Sequence, residues 1–166
     1  MKPMLRICLL WLVVFGFGVG SLWAEGVSAK EALGKLKLGQ GEDAVVKVLG
    51  KPGSKGKAEL WEAIGAWVEE WHYPEQGVTL SMSSEKKGGA KSVLNISVEA
   101  PCSLATSRGI KIGSSEVEVT KAYGKERSKE ESVSGELFVA GSVYDGVMFT
   151  IKKGKVMQIF IGAAAE

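Results

Sequence analysis

The chain has 166 residues, 21 lysines and arginines against 19 aspartates and glutamates, and 45% hydrophobic residues. That length suits one ordinary domain or two small units sharing a core. The near balance of charge excludes an electrostatic footprint for nucleic acid or an anionic membrane surface, and a single histidine excludes a histidine-based metal cluster.

Residues 1–24 carry Lys2 and Arg6, an apolar run from Ile7, and small Ala24 just before the first acid, Glu25. This pattern predicts a secretory signal peptide cleaved after Ala24, and so an exported protein, periplasmic or secreted. The alternative is an uncleaved anchor, because the run approaches the length of a minimal membrane span, but glycines at 16, 18 and 20 weaken it as a helix. Cys8 stands at the start of the apolar run, where no lipoprotein-type cleavage site can precede it. Without this segment the chain carries 19 bases and 19 acids and keeps one cysteine, Cys102. An intramolecular disulfide is then impossible, and Cys102 beside Pro101 reads as a small buried apolar group, the alternative being an intermolecular disulfide or a reactive thiol.

Residues 28–36 place Ala32, Leu33 and Leu36 on one helical face, with Ser28 as N-cap and Glu31 at capping-box spacing, which predicts a short helix weakened by Gly34. From Gln40 to Leu49, Ala44, Val45, Val48 and Leu49 recur at helical spacing before a Gly50/Pro52 stop. Residues 51–58 form a loop rich in glycine and lysine. The aromatic stretch from Leu60 to Tyr73 predicts a strand before Pro74, with Trp67, Glu69, Trp71 and Tyr73 on one face and Val68, Glu70 and His72 on the other. Residues 77–82 alternate, as do residues 93–98, with Leu94, Ile96 and Val98 expected inward. In the second half, Ser115 and Glu118 form another capping-box spacing ahead of Val119, Ala122 and Tyr123. A strand follows over Leu137–Tyr144, then a hairpin turn at Asp145-Gly146. Val147, Phe149 and Ile151 alternate, Lys153-Gly154 turns the chain, and Met157, Ile159 and Ile161 are expected inward.

These halves repeat. Lys37–Lys51 returns as Lys111–Lys125 at an offset of 74, with seven of fifteen positions identical, among them Gly39/Gly113, Val45/Val119 and Gly50/Gly124. The predicted fold is therefore α+β, with residues 25–102 and 103–166 as two tandem units, each a short helical segment packed on a three- to four-stranded antiparallel sheet.

Leu38-Gly39, Glu42, Val45, Leu49-Gly50-Lys51-Pro52, Trp71-His72-Tyr73 and Gly77-Val78 form a pattern that resembles the beta-lactamase-inhibitor-protein-like fold and the small outer-membrane assembly proteins of the SmpA/OmlA type. Ile112-Gly113, Glu116-Val117, Tyr123-Gly124 and Gly146-Val147 match it again. The resemblance implies small exported proteins that bind other proteins through a sheet face and its loops. The chain departs from it in having no lipobox, no proline after Gly124-Lys125 and no recognisable inhibitory loop, so neither specific role carries over.

No catalytic constellation emerges. Glu69 and Glu70 are adjacent in a strand and point to opposite faces, unlike a carboxylate pair acting on one bond. The glycine-rich pieces at 50–57 and 86–91 lack the Lys-Ser/Thr spacing of a phosphate loop. Asn95-Ile96-Ser97 is a glycosylation acceptor only in form, since it falls within a strand. The expected function is non-catalytic binding of another exported or envelope protein, without cofactor, metal, nucleic acid or membrane. The site is the sheet face opposite the helices, carrying Thr79, Ser81, Asn95, Ser97 and Thr150, with Trp71, His72, Met148, Gln158 and Phe160 as the candidate binding residues. An envelope assembly factor and a small-ligand or cell-wall-fragment binder using the tryptophans are the competing expectations.

Overall fold

A computed structural model describes residues 26–164; the signal peptide expected over residues 1–24 lies outside them. The described residues form two α-helices, α1 (Glu42–Leu49) and α2 (Glu116–Tyr123), and eight strands: β1 (Ser54–Lys55), β2 (Glu59–Trp61), β3 (Ala66–Tyr73), β4 (Val78–Ser84), β5 (Ser92–Glu99), β6 (Leu137–Ser142), β7 (Asp145–Lys152) and β8 (Lys155–Gly162). All the strands belong to one antiparallel sheet of order β1-β3-β4-β5-β8-β7-β6, with β2 also on the outer edge of β3. Residues 28–36, expected to be helical, instead make a single 3₁₀ turn at Ser28–Lys30. Leu33 and Leu36 then bridge each other across a tight turn at Gly34, whose φ of 58° no helix accommodates.

At eight residues each, neither helix would persist alone; both are held by what they cover. Val45 from α1 and Val119 and Tyr123 from α2 are fully buried in one apolar cluster with Leu80, Ile96, Phe149 and Ile159 from the sheet. The Tyr123 ring lies 5.0 Å from that of Phe149. The Tyr73 hydroxyl donates to the Gly50 carbonyl at 3.3 Å, fixing the end of α1 to β3. Ser115 caps α2 through a capping box with Glu118, as its spacing predicts, whereas Gly41 at the start of α1 offers no side-chain cap.

The chain enters each helix in the same way. Gly39 N–H donates to the Val93 carbonyl at 2.7 Å and Gly113 N–H to that of Val156 at 2.8 Å; Glu42 and Glu116 N–H bond Lys91 and Gly154. Both anchoring strands are also bulged at corresponding points. The register shifts so that Val93 lies opposite Met82 and Val156 opposite Ile151. Val93 and Val156 therefore take the inward positions expected for Leu94 and Met157. Leu94 is only half-buried, and Met157 is exposed.

Three local expectations also change. The 60–73 stretch is a hairpin, with β2 turning back through residues 62–65 into β3, because Gly65 adopts a φ of 62°. The 51–58 loop contributes β1. Val143-Tyr144, rather than Asp145-Gly146, turns β6 into β7, while Asp145 and Gly146 pair with Ser142 and Gly141 inside the ladder. A side chain on Gly146 would strike the Ser142 and Ala140 carbonyls, so this glycine serves close strand approach and not the turn.

Candidate functional site: the open face of the sheet

With helices on one side of the sheet, strand alternation fixes what the other side presents. One cross-strand row reads Ser54, His72, Thr79 and Ser97 from β1, β3, β4 and β5. It continues as Phe160, Met148 and Val139 on β8, β7 and β6. To one side run Glu70, Ser81 and Asn95; to the other, Glu99, Gln158, Thr150 and Leu137. The face is thus open and polar where β3, β4, β5 and β8 build it; toward β6 and β7 it is covered, since Met148 is 6% and Val139 0% exposed.

These residues surround a shallow concavity of about 540 Å³ lined by Glu70, His72, Thr79, Ser97, Gln158 and Phe160 together with their neighbours. His72 Nε2 stands 3.4 Å from Glu70 Oε2, and its Nδ1 is 3.5 Å from Thr79 Oγ1. Thr150 Oγ1 donates to Gln158 Oε1 at 3.3 Å, and Gln158 Nε2 donates to Ser97 Oγ at 3.1 Å, so the amide is held flat across three strands. Asn95 is buried and its Oδ1 accepts from Ala163 N–H at 3.2 Å; its side chain is committed to the chain's own C-terminal segment. The backbone N–H and C=O groups beneath this surface are used in the ladder, which leaves side chains as the groups able to meet a ligand.

Of the five candidate binding residues, His72, Gln158 and Phe160 come together here. Met148 is on the same face but only 6% exposed, so its expected role as an exposed anchor is corrected. Trp71 faces the other way. It is 2% exposed in the helix-covered core, its Nε1 donates to Glu69 Oε1 at 2.8 Å, and Lys55 Nζ sits 3.9 Å above its ring. Sequence reasoning left out Glu70 and Glu99, although the alternation that placed His72 outward also places Glu70 beside it.

Comparison with known protein families, with curated proteins and with solved structures returned no match. Among the described residues no group of three or more acidic, histidine or cysteine side chains could hold a metal ion, and no helix is long and apolar enough to cross a membrane.

A second concentration of charge joins the N-terminal segment to the linker ahead of α2. Arg108 Nε lies 3.2 Å from Glu31 Oε1, whose side chain is 2% exposed, and Nη1 donates to Glu126 Oε2 at 3.0 Å and to the Ala122 carbonyl at 2.9 Å. The guanidinium stacks 4.4 Å above the Tyr123 ring. Hydrogen bonding to Arg108 lowers the Glu126 pKa, and burial raises that of the Tyr123 phenol. Every charge in this cluster has a partner, so the cluster acts as a clasp.

Proposed function

We propose that this is an exported, non-catalytic module built from two copies of one α-then-β unit, and that it binds a protein partner through the open face of its sheet. The duplication is supported by the 74-residue sequence repeat, the paired entry bonds of Gly39 and Gly113, and the matched bulges at Leu94 and Met157. The resemblance to the beta-lactamase-inhibitor-protein-like and SmpA/OmlA-type proteins belongs to this proposal, and is supported by a helix and three long antiparallel strands in each half, β3–β5 after α1 and the short β1 and β2, and β6–β8 after α2. The observation that carries the binding reading is Phe160. It is an incompletely buried aromatic at the edge of the open concavity, with Ser97 and Gln158 on one side and the buried Met148 on the other. An apolar anchor beside polar, solvent-reaching side chains is the composition of a protein-recognition surface. A tryptophan-based small-ligand site is less well supported, because the Trp71 indole is already covered by Lys55 and bonded to Glu69.

The test is site-specific photocrosslinking in intact cells, with a benzophenone amino acid replacing Phe160 in one variant and Tyr144 in another. Tyr144 is 63% exposed and lies on a hairpin turn. A discrete adduct from position 160 and none from position 144 is expected. The same adducts from both positions, or none from 160, would sink the reading.

A further inference from the structure

We infer that the partner segment received by the open face is cationic, carrying two lysine or arginine side chains about four or five residues apart and an apolar side chain beside the pair. This inference rests on the protein-binding reading above and adds the chemistry of the partner. Its basis is the charge carried by the lining of the concavity. The chain as a whole is not acidic. Yet the residues that line the concavity include Glu70 and Glu99 and, among the described residues, neither lysine nor arginine. Three lysines are instead engaged on the helix-covered side of β3. Lys55 and Lys87 lie over the rings of Trp71 and Trp67, and Lys91 Nζ stands 3.9 Å from Glu69 Oε2. Lys152 and Lys155 pair on the same face but at the far end of β7 and β8, so the concavity, whose only fixed charges are carboxylates, presents a negative potential to whatever approaches it.

Neither carboxylate is consumed by the fold. Glu99 is exposed and makes no ion pair among the described residues; Glu70, its side chain 56% exposed, meets only His72 at 3.4 Å. Their separation sets the spacing in the partner. Glu70 is on β3 and Glu99 on β5, two strands apart, with Glu70 level with Asn95 and so four residues from Glu99 along β5. At ~4.8 Å between strands and ~3.3 Å per residue, the two carboxylates stand roughly 16 Å apart. One small cation cannot neutralise both, whereas about five residues of extended polypeptide span that distance. Phe160, on β8 and level with Ser97, lies beside the line joining the two carboxylates, beyond β5, and meets an apolar side chain flanking the basic pair.

The experiment selects dodecapeptides from a random phage-displayed library on the purified protein, then measures each selected peptide against three variants: Phe160→Asp, Glu70→Gln/Glu99→Gln and Glu70→Lys/Glu99→Lys. The replaced glutamates are exposed, and urea midpoints verify that each variant is folded. Peptides whose binding requires Phe160 are expected to contain at least two lysines or arginines. Their affinity should fall about tenfold in the glutamine variant and further in the lysine variant, with a comparable loss on raising salt from ~50 to ~500 mM. Phe160-dependent peptides that are neutral or acidic, or that bind the glutamine variant undiminished, would overturn the cationic partner and leave the binding face standing. A library that yields no Phe160-dependent peptide would overturn both.

Discussion

Arg108 has the most partners of any charged side chain in the clasp between the two halves, and its removal leaves one of them in difficulty. Glu31 would keep only the Ser107 N–H, at 3.2 Å, for a carboxylate that is 2% exposed. Breaking a fully buried pair costs about 3–5 kcal/mol; with Arg108 itself a third exposed, about 2 kcal/mol is expected for Arg108→Ala. Urea denaturation checks this, and Arg108→Ala/Glu31→Gln should recover part of the loss by removing the stranded charge. The clasp also has a pH signature. The Glu126 pKa is depressed chiefly by its hydrogen bond to Arg108, so its stabilising contribution is complete above the ordinary glutamate value of about 4.3 and is lost as pH falls through the lower folded value. Urea midpoints taken between pH 6 and pH 3 should therefore fall more steeply for the wild type than for Arg108→Ala. Equal slopes would show that the Glu126 bond does not contribute.

The bulges in β5 and β8 reverse the ranking that regular alternation gives to neighbouring residues, which can be measured. Val156 is fully buried and Met157 is 46% exposed. Val156→Ala should cost about 2 kcal/mol by leaving a cavity, and Met157→Ala no more than ~0.5 kcal/mol. The opposite order would mean that β8 runs without its bulge. Periodicity made α1, α2 and most strands legible, because one buried face suffices to set a period of 3.6 or 2. It misplaced Leu94 and Met157 because a bulge adds one residue to a strand without changing its composition. It assigned the turn to Asp145-Gly146 because that dipeptide favours hairpin turns. In the fold, Ser142 Oγ accepts from Tyr144 and Asp145 N–H, holding the turn one step earlier, while the Asp145 carboxylate accepts from the Ser28 hydroxyl. The open face itself was readable from alternation, since Thr79, Ser97, Gln158 and Phe160 fall on it. Burial was not readable in the same way, because whether Trp71 or Met148 reaches solvent depends on elements distant in sequence.

At the scale of the molecule, the two halves are joined along β5 and β8 and again where residues 32–34 bond residues 105–107. The strand seam places Ile96 opposite Ile161 and Val98 opposite Ile159, all fully or almost fully buried, so each half completes the other's core. A chain ending at residue 102 would expose the unpaired edge of β5 and leave Leu33 without its bridge to Thr106, the open edge being a site for aggregation. Repetition in sequence therefore does not imply independent folding. A single cooperative transition is expected, as for most domains of this size. The distribution of aromatic residues makes this testable without labels: the tryptophans of the described residues, Trp61, Trp67 and Trp71, all lie in β2 and β3, so their fluorescence reports only the first half. Hydrogen exchange at β7 amides reports the second, because β7 sits between β6 and β8 and its own Val147 and Phe149 are fully buried. The urea midpoint from fluorescence and the free energy of opening at β7 should give the same stability. A β7 that stays protected after the tryptophan transition is complete would show that the second unit folds by itself, and the shared core would then be a docking of two domains.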